Sequence, residues 1–433
     1  MITTFEGFGL LPQLEENLKN LNYSTPTPIQ SQAIPPLLEG RDLLGIAQTG
    51  TGKTAAFSLP LIQKLSQEAL KMRPGKCRTL ILAPTRELAS QIQKDIKCYS
   101  EGLRLKSAVI FGGVKQHNQV RALKGGLDLL VATPGRLEDL ISQGHAKLDQ
   151  VDYLVLDEAD RMLDMGFLPA IKRILAQLPE KRQTLLFSAT MPTGIAQLTK
   201  GFQEDPVRVE IDPESSTVDR ITQEVVHVPQ TEKLGLLQTI LKLDEVEQVM
   251  VFSRTKHGAE RLSKGVRAMK LDCEAIHGNK SQNQRQKALD DFKAGTLKVL
   301  VATDIAARGI DVAGVSHVIN YDLPEEPESY VHRIGRTGRA GREGVAISFC
   351  SGPEVKKLKA IEKAIGVKIP QGDFARAEWS QMTAREEAPA KRNQARPSKR
   401  TQAGGFKSRS TGTAAPKRSP RRGSSEFGSN RNF

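Results

Sequence analysis

Residues 43–54 read LLGIAQTGTGKT, in which the apolar run Leu43–Ile46 leads directly into the glycine-rich stretch 47–54. A short apolar run bounded by glycines predicts a buried strand, and the residues that follow predict a helix. Glycines at a strand-to-helix turn let backbone N–H groups approach phosphate oxygens, while Lys53 offers a cation and Thr54 a hydroxyl. The segment therefore predicts a phosphate-binding loop.

Short apolar runs alternate with helical patterns along most of the chain, which predicts two α/β domains with doubly wound parallel sheets. The first series of predicted strands is 43–46, 79–83, 107–111, 127–132, 153–156 and 184–187. The second series is 248–252, 273–276, 298–302, 316–320 and 344–349. The predicted order is an N-terminal region at 1–32, domains at 33–210 and 220–370, a polar hinge at 211–219, and a tail at 371–433.

Composition excludes several classes of protein. The 433 residues contain no apolar run of about 18 residues, and the first residues lack the pattern of a signal peptide. The four cysteines form no CxxC pair, which argues against a zinc site or disulfide framework and favours a cytoplasmic setting.

Most of the net charge lies at the C-terminal end. Residues 391–433 hold 12 lysines and arginines but one acid, Glu426, so that they carry +11 of the net +14. Their Ala, Pro, Gly, Ser, Lys and Arg composition predicts a disordered basic tail. We expect the tail to tether nucleic acid through phosphate contacts, although a solubilising extension is the alternative interpretation.

A second chemical motif is YLVLDEAD at 153–160, where an apolar run ends in two acids. A hydrolytic ATPase needs such acids opposite its phosphate loop. We expect Asp157 to hold Mg²⁺, directly or through water, and Glu158 to position and polarise the attacking water. Acids at a strand end can also be solvated turn residues, and the phosphate loop favours the catalytic reading.

The second domain carries HRIGRTGRAGR at 332–342. The spacing of Arg336 and Arg339 predicts arginine fingers that reach across a cleft to a γ-phosphate, although a solvated basic turn would have similar composition. Because these arginines lie beyond the predicted hinge, we expect hydrolysis to require that the two domains close.

Together these motifs make the chain resemble a DEAD-box RNA helicase of the bacterial RhlE-like type, over about residues 4–368. The first-domain motifs are PTPIQ (26–30), AQTGTGKT (47–54), PTREL (84–88), the pair at 112–113, TPGR (133–136), DEAD (157–160) and SAT (188–190). Those of the second domain are VFSRT (251–255), QNQR (282–285), ATDIAARGID (302–311) and HRIGRTGR (332–339). The resemblance implies two tandem RecA-like domains behind a Q-motif region at 1–32.

The resemblance also implies which residues bind ATP and Mg²⁺. The ATP-binding set is Phe5, Tyr23, Gln30, Ala47, Gln48, Thr49, Gly50, Thr51, Gly52, Lys53, Thr54 and Asp311. Within it, Gln30 would read the adenine edge, Tyr23 would stack on the base and Asp311 would contact the ribose. Thr54 and Asp157 would hold Mg²⁺, while Ser188 and Thr190 would couple ATP binding to RNA binding. One departure from the family pattern is Asn22, where glycine is usual.

RNA is the expected partner, bound through its backbone without sequence preference. The residues implied are Pro84, Thr85, Arg86, Gly113, Thr133 and Arg136 in the first domain, and Arg285 and Thr303 in the second. Each of these residues has an alternative reading as a helix cap or turn. We expect a core that is monomeric and makes no membrane contact, with ribosomal or RNA-decay complexes as possible partners.

The expected activity is ATP-dependent local unwinding of short RNA duplexes or remodelling of RNA–protein complexes. Three alternatives stay open: an ATP-gated RNA clamp that scarcely unwinds, a DNA helicase, and an RNA chaperone driven by the tail without ATP.

Overall fold

The computed structural model describes residues 3–48, 50–68, 70, 72–211, 221–307, 312, 314–338, 343–372 and 374. Several predicted features lie outside this part of the chain: Thr49, Asp311, Arg339, the hinge after Ile211, and the tail from residue 375 onwards.

The first lobe is built on a parallel sheet of seven strands in the order β3-β4-β2-β5-β6-β1-β7. These strands are β1 (Leu43–Ile46), β2 (Cys77–Leu82), β3 (Ser107–Ile110), β4 (Leu127–Ala132), β5 (Tyr153–Leu156), β6 (Gln183–Ser188) and β7 (Val207–Glu210). Successive residues of β2 such as Leu80 and Ile81 point to opposite faces, and both are fully buried. The sheet therefore has a hydrophobic core on each face, which helices cover.

The helices of the first lobe connect these strands. They are α1 (Pro12–Asn20), α2 (Pro28–Leu38), α3 (Lys53–Gln67), α4 (Arg86–Tyr99), α5 (Gln116–Leu123), α6 (Pro134–Ser142), α7 (Ala159–Asp164), α8 (Leu168–Leu175) and α9 (Thr193–Lys200). A 3₁₀ turn at Phe5–Phe8 precedes them.

The second lobe repeats the plan with a parallel sheet of six strands in the order β10-β11-β9-β12-β13-β8. The strands are β8 (Ile221–His227), β9 (Val249–Phe252), β10 (Cys273–Ile276), β11 (Val299–Ala302), β12 (His317–Asn320) and β13 (Gly344–Cys350). Its helices are α10 (Lys233–Ile240), α11 (Lys256–Arg267), α12 (Gln282–Lys293), α13 (Asp304–Ala307), α14 (Pro327–Ile334) and α15 (Val355–Ile365), with a 3₁₀ turn at Gly352–Glu354. The two sheets confirm the predicted α/β fold with tandem RecA-like domains.

Two strands, β7 and β8, are absent from the prediction. Each lies at the edge of its sheet, and exposed or half-buried positions interrupt its buried ones. Their sequences, VRVE and ITQEVVH, therefore lack the continuous apolar run by which a strand buried on both faces is recognised.

The predicted start of the tail at residue 371 is a few residues too early. Gln371 forms a parallel bridge with Val225 of β8, and the N–H of Gly372 donates to the Val225 carbonyl at 2.9 Å. Phe374 packs against the core of the second lobe. Among the residues that the structure describes, none of the helices has both the length and the apolar character needed to span a membrane.

A buried lysine, Lys233, links the segments of the second lobe that surround the carboxyl end of β9, which lies in the VFSRT segment. The Lys233 ammonium is fully buried and donates to Glu354 at 2.6 Å and to the Tyr321 carbonyl at 2.7 Å. Burial raises the pKa of Glu354, but hydrogen bonds from Lys233 and Ser351 outweigh it, so that the pKa lies below its usual value. The neighbouring Asp322 accepts from Ser253 Oγ at 3.1 Å and so fixes the end of β9.

Replacing Lys233 with methionine should destabilise the second lobe by about 3–5 kcal/mol, because Glu354 would be left as a buried charge without its cation. The exposed Lys242 is the matched control, and Lys242→Met should stay within about 0.5 kcal/mol of the wild type. Urea unfolding followed by circular dichroism measures both changes. A Lys233→Met midpoint equal to that of the control would contradict the role given to this ion pair.

Candidate active site

The glycine-rich loop connects β1 to α3 with two glycines in left-handed conformations. Gly50 and Gly52 have φ values of 88° and 91°, which few other residues tolerate. The buried Lys53 ammonium donates to the Ala47 carbonyl at 2.9 Å, and Thr51 Oγ1 donates to the Gln48 carbonyl at 2.8 Å. Backbone and lysine therefore converge on one turn, and the half-buried Thr54 lies in the first turn of the helix that follows it.

Asp157 lies at the carboxyl end of β5, two strands from β1. Burial raises the pKa of this carboxyl group to about 7, and the positive charge of Lys53 opposes the shift. A carboxylate that is 2% exposed and lacks a direct cationic partner in the described chain is poorly stabilised by the protein alone. A hard divalent cation with oxygen ligands fits this position, and Mg²⁺ satisfies that chemistry.

Glu158 is held by an ion pair that the sequence did not predict. Its backbone adopts a left-handed conformation with φ of 52°, and its Oε2 accepts from Arg161 Nη1 at 2.7 Å. Both side chains are buried, so the pair is shielded from water. Glu158 therefore has a defined position beside Asp157, and Arg161 is the group that fixes it.

Asp160 connects the DEAD segment to the SAT segment at the end of β6. Its Oδ2 accepts from the backbone N–H of Ala189 at 3.1 Å, and from both the N–H and the hydroxyl of Thr190 at 3.0 Å. The Asp160 N–H donates in turn to Ser188 Oγ at 3.3 Å. Four hydrogen bonds therefore join the two segments, whereas the coupling role of Ser188 and Thr190 stays a prediction.

The N-terminal region brings Gln30 against the glycine-rich loop. Gln30 Oε1 accepts from the Thr27 N–H at 2.9 Å, and Nε2 donates to the Gly52 carbonyl at 3.1 Å. An amide oxygen can accept a second hydrogen bond and an amide nitrogen can donate a second one, so that both atoms keep capacity for a ligand.

The two aromatic residues predicted to contact the base also meet each other. Phe5 and Tyr23 pack edge to face with ring centroids 5.9 Å apart, and the Tyr23 hydroxyl lies 2.9 Å from that of Tyr99. The preceding Asn22 has φ of 61°, the conformation for which glycine is usual at this position.

Four of the residues predicted to hold RNA in the first lobe have specific local contacts. The Arg86 guanidinium lies over Gly113, where an added Cβ would come within 2.0 Å of its Nη1. Thr85 Oγ1 caps α4 by accepting from the Leu88 N–H at 3.3 Å, so it fits the alternative reading as a helix cap. Arg136 pairs with Asp139 at 3.4 Å and keeps a buried Nη1 without a partner in the described chain.

The other two, Pro84 and Thr133, are buried at the carboxyl ends of β2 and β4. The side chain of Thr133 precedes α6 without capping it.

Glu87 joins the two lobes at a buried contact. Its Oε1 accepts from Gln282 Nε2 at 2.9 Å, and its Oε2 pairs with Arg285 Nη2 at 3.1 Å. Burial lowers the pKa of Arg285, and Glu87 opposes that shift. Arg285 Nε stays buried without a partner among the described residues. Thr303, the other predicted RNA contact of this lobe, is buried at the end of β11.

The two lobes also meet at the HRIGRTGR segment. There, Arg161 of the first lobe and Arg336 of the second line one small cavity. Arg336 is 5% exposed. The preceding Arg333 is held by Asp304 through Nε at 2.6 Å and Nη2 at 2.7 Å. Arg336, which the sequence assigned to catalysis, therefore lines the same cavity as Arg333, whose guanidinium is fixed by its ion pair with Asp304.

Three contact residues, Glu87, Arg161 and Asp304, lie inside the quoted motifs or next to them but were assigned no role. Glu87 and Asp304 each pair with an arginine of a different motif. Arg161 pairs with Glu158, three residues earlier. The signal that could have found them is a charged residue within an otherwise buried segment, because such charges need a partner.

Comparison with known proteins identifies the family. Residues 27–198 match the sequence model of the DEAD/DEAH box helicase family, and residues 232–341 match that of the helicase conserved C-terminal domain. The "ATP-dependent RNA helicase CshA" of Listeria monocytogenes is 44% identical over 362 residues, which are 84% of this chain and 69% of that protein. The "DEAD-box ATP-dependent RNA helicase CshA" of Bacillus subtilis is 42% identical over 369 residues, covering 85% and 74% of the two chains.

A solved structure supports the same assignment. Dbp5 of S. cerevisiae bound to RNA and ADP BeF3 is 31% identical, covers 89% of this chain and 99% of its own, and superposes with a TM-score of 0.76. The bacterial relatives carry the name CshA, so the RhlE-like subfamily is not confirmed. The chain belongs to the DEAD-box family and is an ATP-dependent RNA helicase, an RNA-dependent ATPase that binds ATP and RNA.

Proposed function

We propose that ATP and single-stranded RNA together hold the two lobes in contact, and that this closed cleft locally separates short RNA duplexes. The observation that supports the proposal is the buried contact of Glu87 with Gln282 and Arg285, which joins two RNA-side segments across the lobes. Opening of this contact after hydrolysis would release the RNA.

The first lobe supplies the groups that bind and cleave ATP. Gln30 reads the adenine edge, Tyr23 and Phe5 form the apolar wall for the base, and the loop at 47–54 binds the phosphates through its backbone and Lys53. Thr54 and Asp157 would hold Mg²⁺, which when bound neutralises charge on the phosphate oxygens. Glu158 positions the attacking water and accepts its proton once Arg161 releases the carboxylate.

The second lobe completes the reaction site. Arg336, which lines the same cavity as Arg161, stabilises the charge that develops on the γ-phosphate, and Arg339 and Asp311 complete the family's set. Asp160 carries the state of this site to the SAT segment through its three hydrogen bonds with residues 189–190. Ser188 and Thr190 thereby couple the nucleotide to the RNA side.

RNA binds along both lobes through its backbone. Pro84, Thr85, Arg86, Gly113, Thr133 and Arg136 form the first-lobe part of the path, and Arg285 and Thr303 form the second. Arg136 and Arg285 each keep a buried guanidinium nitrogen without a partner in the described chain, and phosphate oxygens would satisfy these donors. Such contacts carry no base information, so we expect sequence-independent binding.

Glu87 stabilises the arrangement in which the two lobes are in contact. It fixes Nη2 of Arg285, so the side chain proposed to contact RNA also takes part in the contact between the lobes. The arrangement favours RNA that bridges the lobes, because a strand on one lobe alone would not benefit from the contact.

Further parts of the proposal rest on the sequence. The domain bounds are 1–32, 33–210, 211–219 and 220–370, the last extended to residue 374 by the contacts of Gln371 and Phe374 with the second lobe, and the basic tail that follows is an RNA tether. We expect a monomeric, cytoplasmic protein that acts on ribosomal or RNA-decay complexes. The subfamily stays RhlE-like by its motifs, and the relatives named CshA offer the alternative. An RNA clamp that scarcely unwinds would use the same residues.

Glu158→Gln should leave ATP binding nearly intact, abolish turnover and trap a stable complex with RNA, because the base is lost while the charge-free amide keeps its shape. A nucleotide-binding assay, an RNA-stimulated ATPase assay and a filter-binding assay with labelled RNA measure the three effects, and a duplex-unwinding assay is run on the wild type. Glu180→Gln, at an exposed acid of the same lobe, is the control and should match the wild type. Wild-type turnover by Glu158→Gln would refute the assignment of the base. A wild-type chain that hydrolyses ATP with RNA but separates no duplex would favour the clamp.

Glu87→Gln should weaken closure without impairing the isolated nucleotide site, since its partners lie in the second lobe. Truncating one partner of a buried charge pair costs about 2–5 kcal/mol, so RNA-stimulated ATPase should need at least about tenfold more RNA. ATP affinity measured without RNA should equal that of the wild type. Gln282→Ala, which removes the neutral hydrogen bond alone, should have a smaller effect. An unchanged RNA requirement in Glu87→Gln would show that the contact is only structural.

A further inference from the structure

One stretch of the first lobe departs from the charge balance of the folded body. Outside residues 391–433 the chain holds 51 basic and 48 acidic residues, so it is nearly neutral. Residues 104–127 nevertheless contain no aspartate or glutamate, and they include Arg104, Lys106, Lys115, Arg121 and Lys124. A local concentration of positive charge in a neutral body is the electrostatic pattern of a surface that binds a polyanion.

Helix α5 arranges part of this stretch on one solvent-facing side. His117, Arg121 and Lys124 follow one another at spacings of four and three residues, which places them on the same helix face, and Lys115 precedes the helix. All four are exposed, whereas Gln119 and Leu123 face the sheet. Lys115, Arg121 and Lys124 form no ion pair or hydrogen bond through their side chains with any other described residue, so their charges are available.

This basic face follows a residue of the proposed RNA path of the first lobe. Gly113, over which the Arg86 guanidinium lies, is two residues before Lys115. Helix α5 extends about 12 Å at 1.5 Å per residue and packs against β3, the edge strand of the sheet. Beyond its last turn lies an open hollow lined by Lys97, Lys106 and the backbone of Gly125 and Gly126. The cations therefore lie along the outer edge of the lobe, next in the chain to the proposed RNA path.

We propose that this face of α5 binds the phosphate backbone of RNA that extends beyond the cleft, and so anchors the flanking part of a long substrate. The inference rests on the proposed RNA path through Arg86 and Gly113. A protein partner would need apolar or aromatic anchors, but the exposed large hydrophobic residues of the described chain, Leu21, Leu70, Ile305 and Val367, lie elsewhere. Binding of phosphate groups requires only accessible cations, and this face provides them.

The test compares two variants of the full chain that each lose three positive charges. The face variant is K115Q/R121Q/K124Q. The control variant is K356Q/K359Q/K363Q, which removes exposed lysines of α15 that likewise form no ion pair with described residues. RNA binding is measured by fluorescence anisotropy with single strands of increasing length at low and high salt, together with the RNA concentration that gives half-maximal ATPase. Circular dichroism checks that both variants fold.

The face variant should bind the shortest strands as the wild type does, and should fall behind by roughly three- to tenfold as the strand lengthens at low salt. Its salt dependence should become shallower by about 0.7 for each phosphate that the variant no longer neutralises, up to about 2 in all. The ATPase rate at saturating RNA should not change. Equal affinities of the face variant and the α15 control for RNA of every length would overturn the inference. That result is also the one expected if the face binds an acidic protein instead of RNA.

Failure of the proposed function has a different signature. A wild-type chain whose ATPase does not respond to RNA would contradict the proposed cycle, whereas the anisotropy series would still decide whether α5 contacts RNA.

Discussion

Glu87 provides the constraint on which the composite cleft depends, because a single buried carboxylate of the first lobe accepts from two side chains of the second. Neither lobe alone contains both halves of the site. The phosphate loop and the DEAD acids are in the first lobe, and Arg336 is in the second. A buried charge without its partner is strongly unfavourable, so this contact favours the arrangement in which the two lobes meet.

Short polar links between neighbouring strand ends connect the segments that form the candidate nucleotide site of the first lobe. Gln30 connects the N-terminal region to Gly52, and Asp160 connects the DEAD segment to Thr190. These links are possible because parallel strands deliver their carboxyl ends to one edge of the sheet, where loops that are distant in sequence become neighbours. The same topology places Arg86 over Gly113, both proposed to contact RNA. The groups proposed to bind nucleotide and RNA therefore share one sheet as their support.

The sequence predicted the central strands and the motif-bearing loops well, because strands buried on both faces, such as β2 and β9, produce continuous apolar runs. It missed the edge strands β7 and β8, where exposed positions break the pattern. In the site, motif positions predicted which residues gather, but not the partners of Glu87 or Glu158. Those partners are set by lobe contact and by the left-handed backbone of Glu158, which no local pattern encodes. Assignments that rest on Asp311 and Arg339 lie outside the described residues.

The central claim is that ATP hydrolysis requires a cation from the second lobe, and the RNA-stimulated ATPase rate of Arg336→Ala tests it most directly. Arginine fingers contribute roughly 10³–10⁵ to the rate of phosphoryl transfer. The account predicts a loss of at least about a thousandfold at saturating ATP and RNA, with ATP affinity in the absence of RNA unchanged. Wild-type rates in both Arg336→Ala and Arg339→Ala would contradict it, because the first lobe would then hydrolyse ATP without a cation from the second.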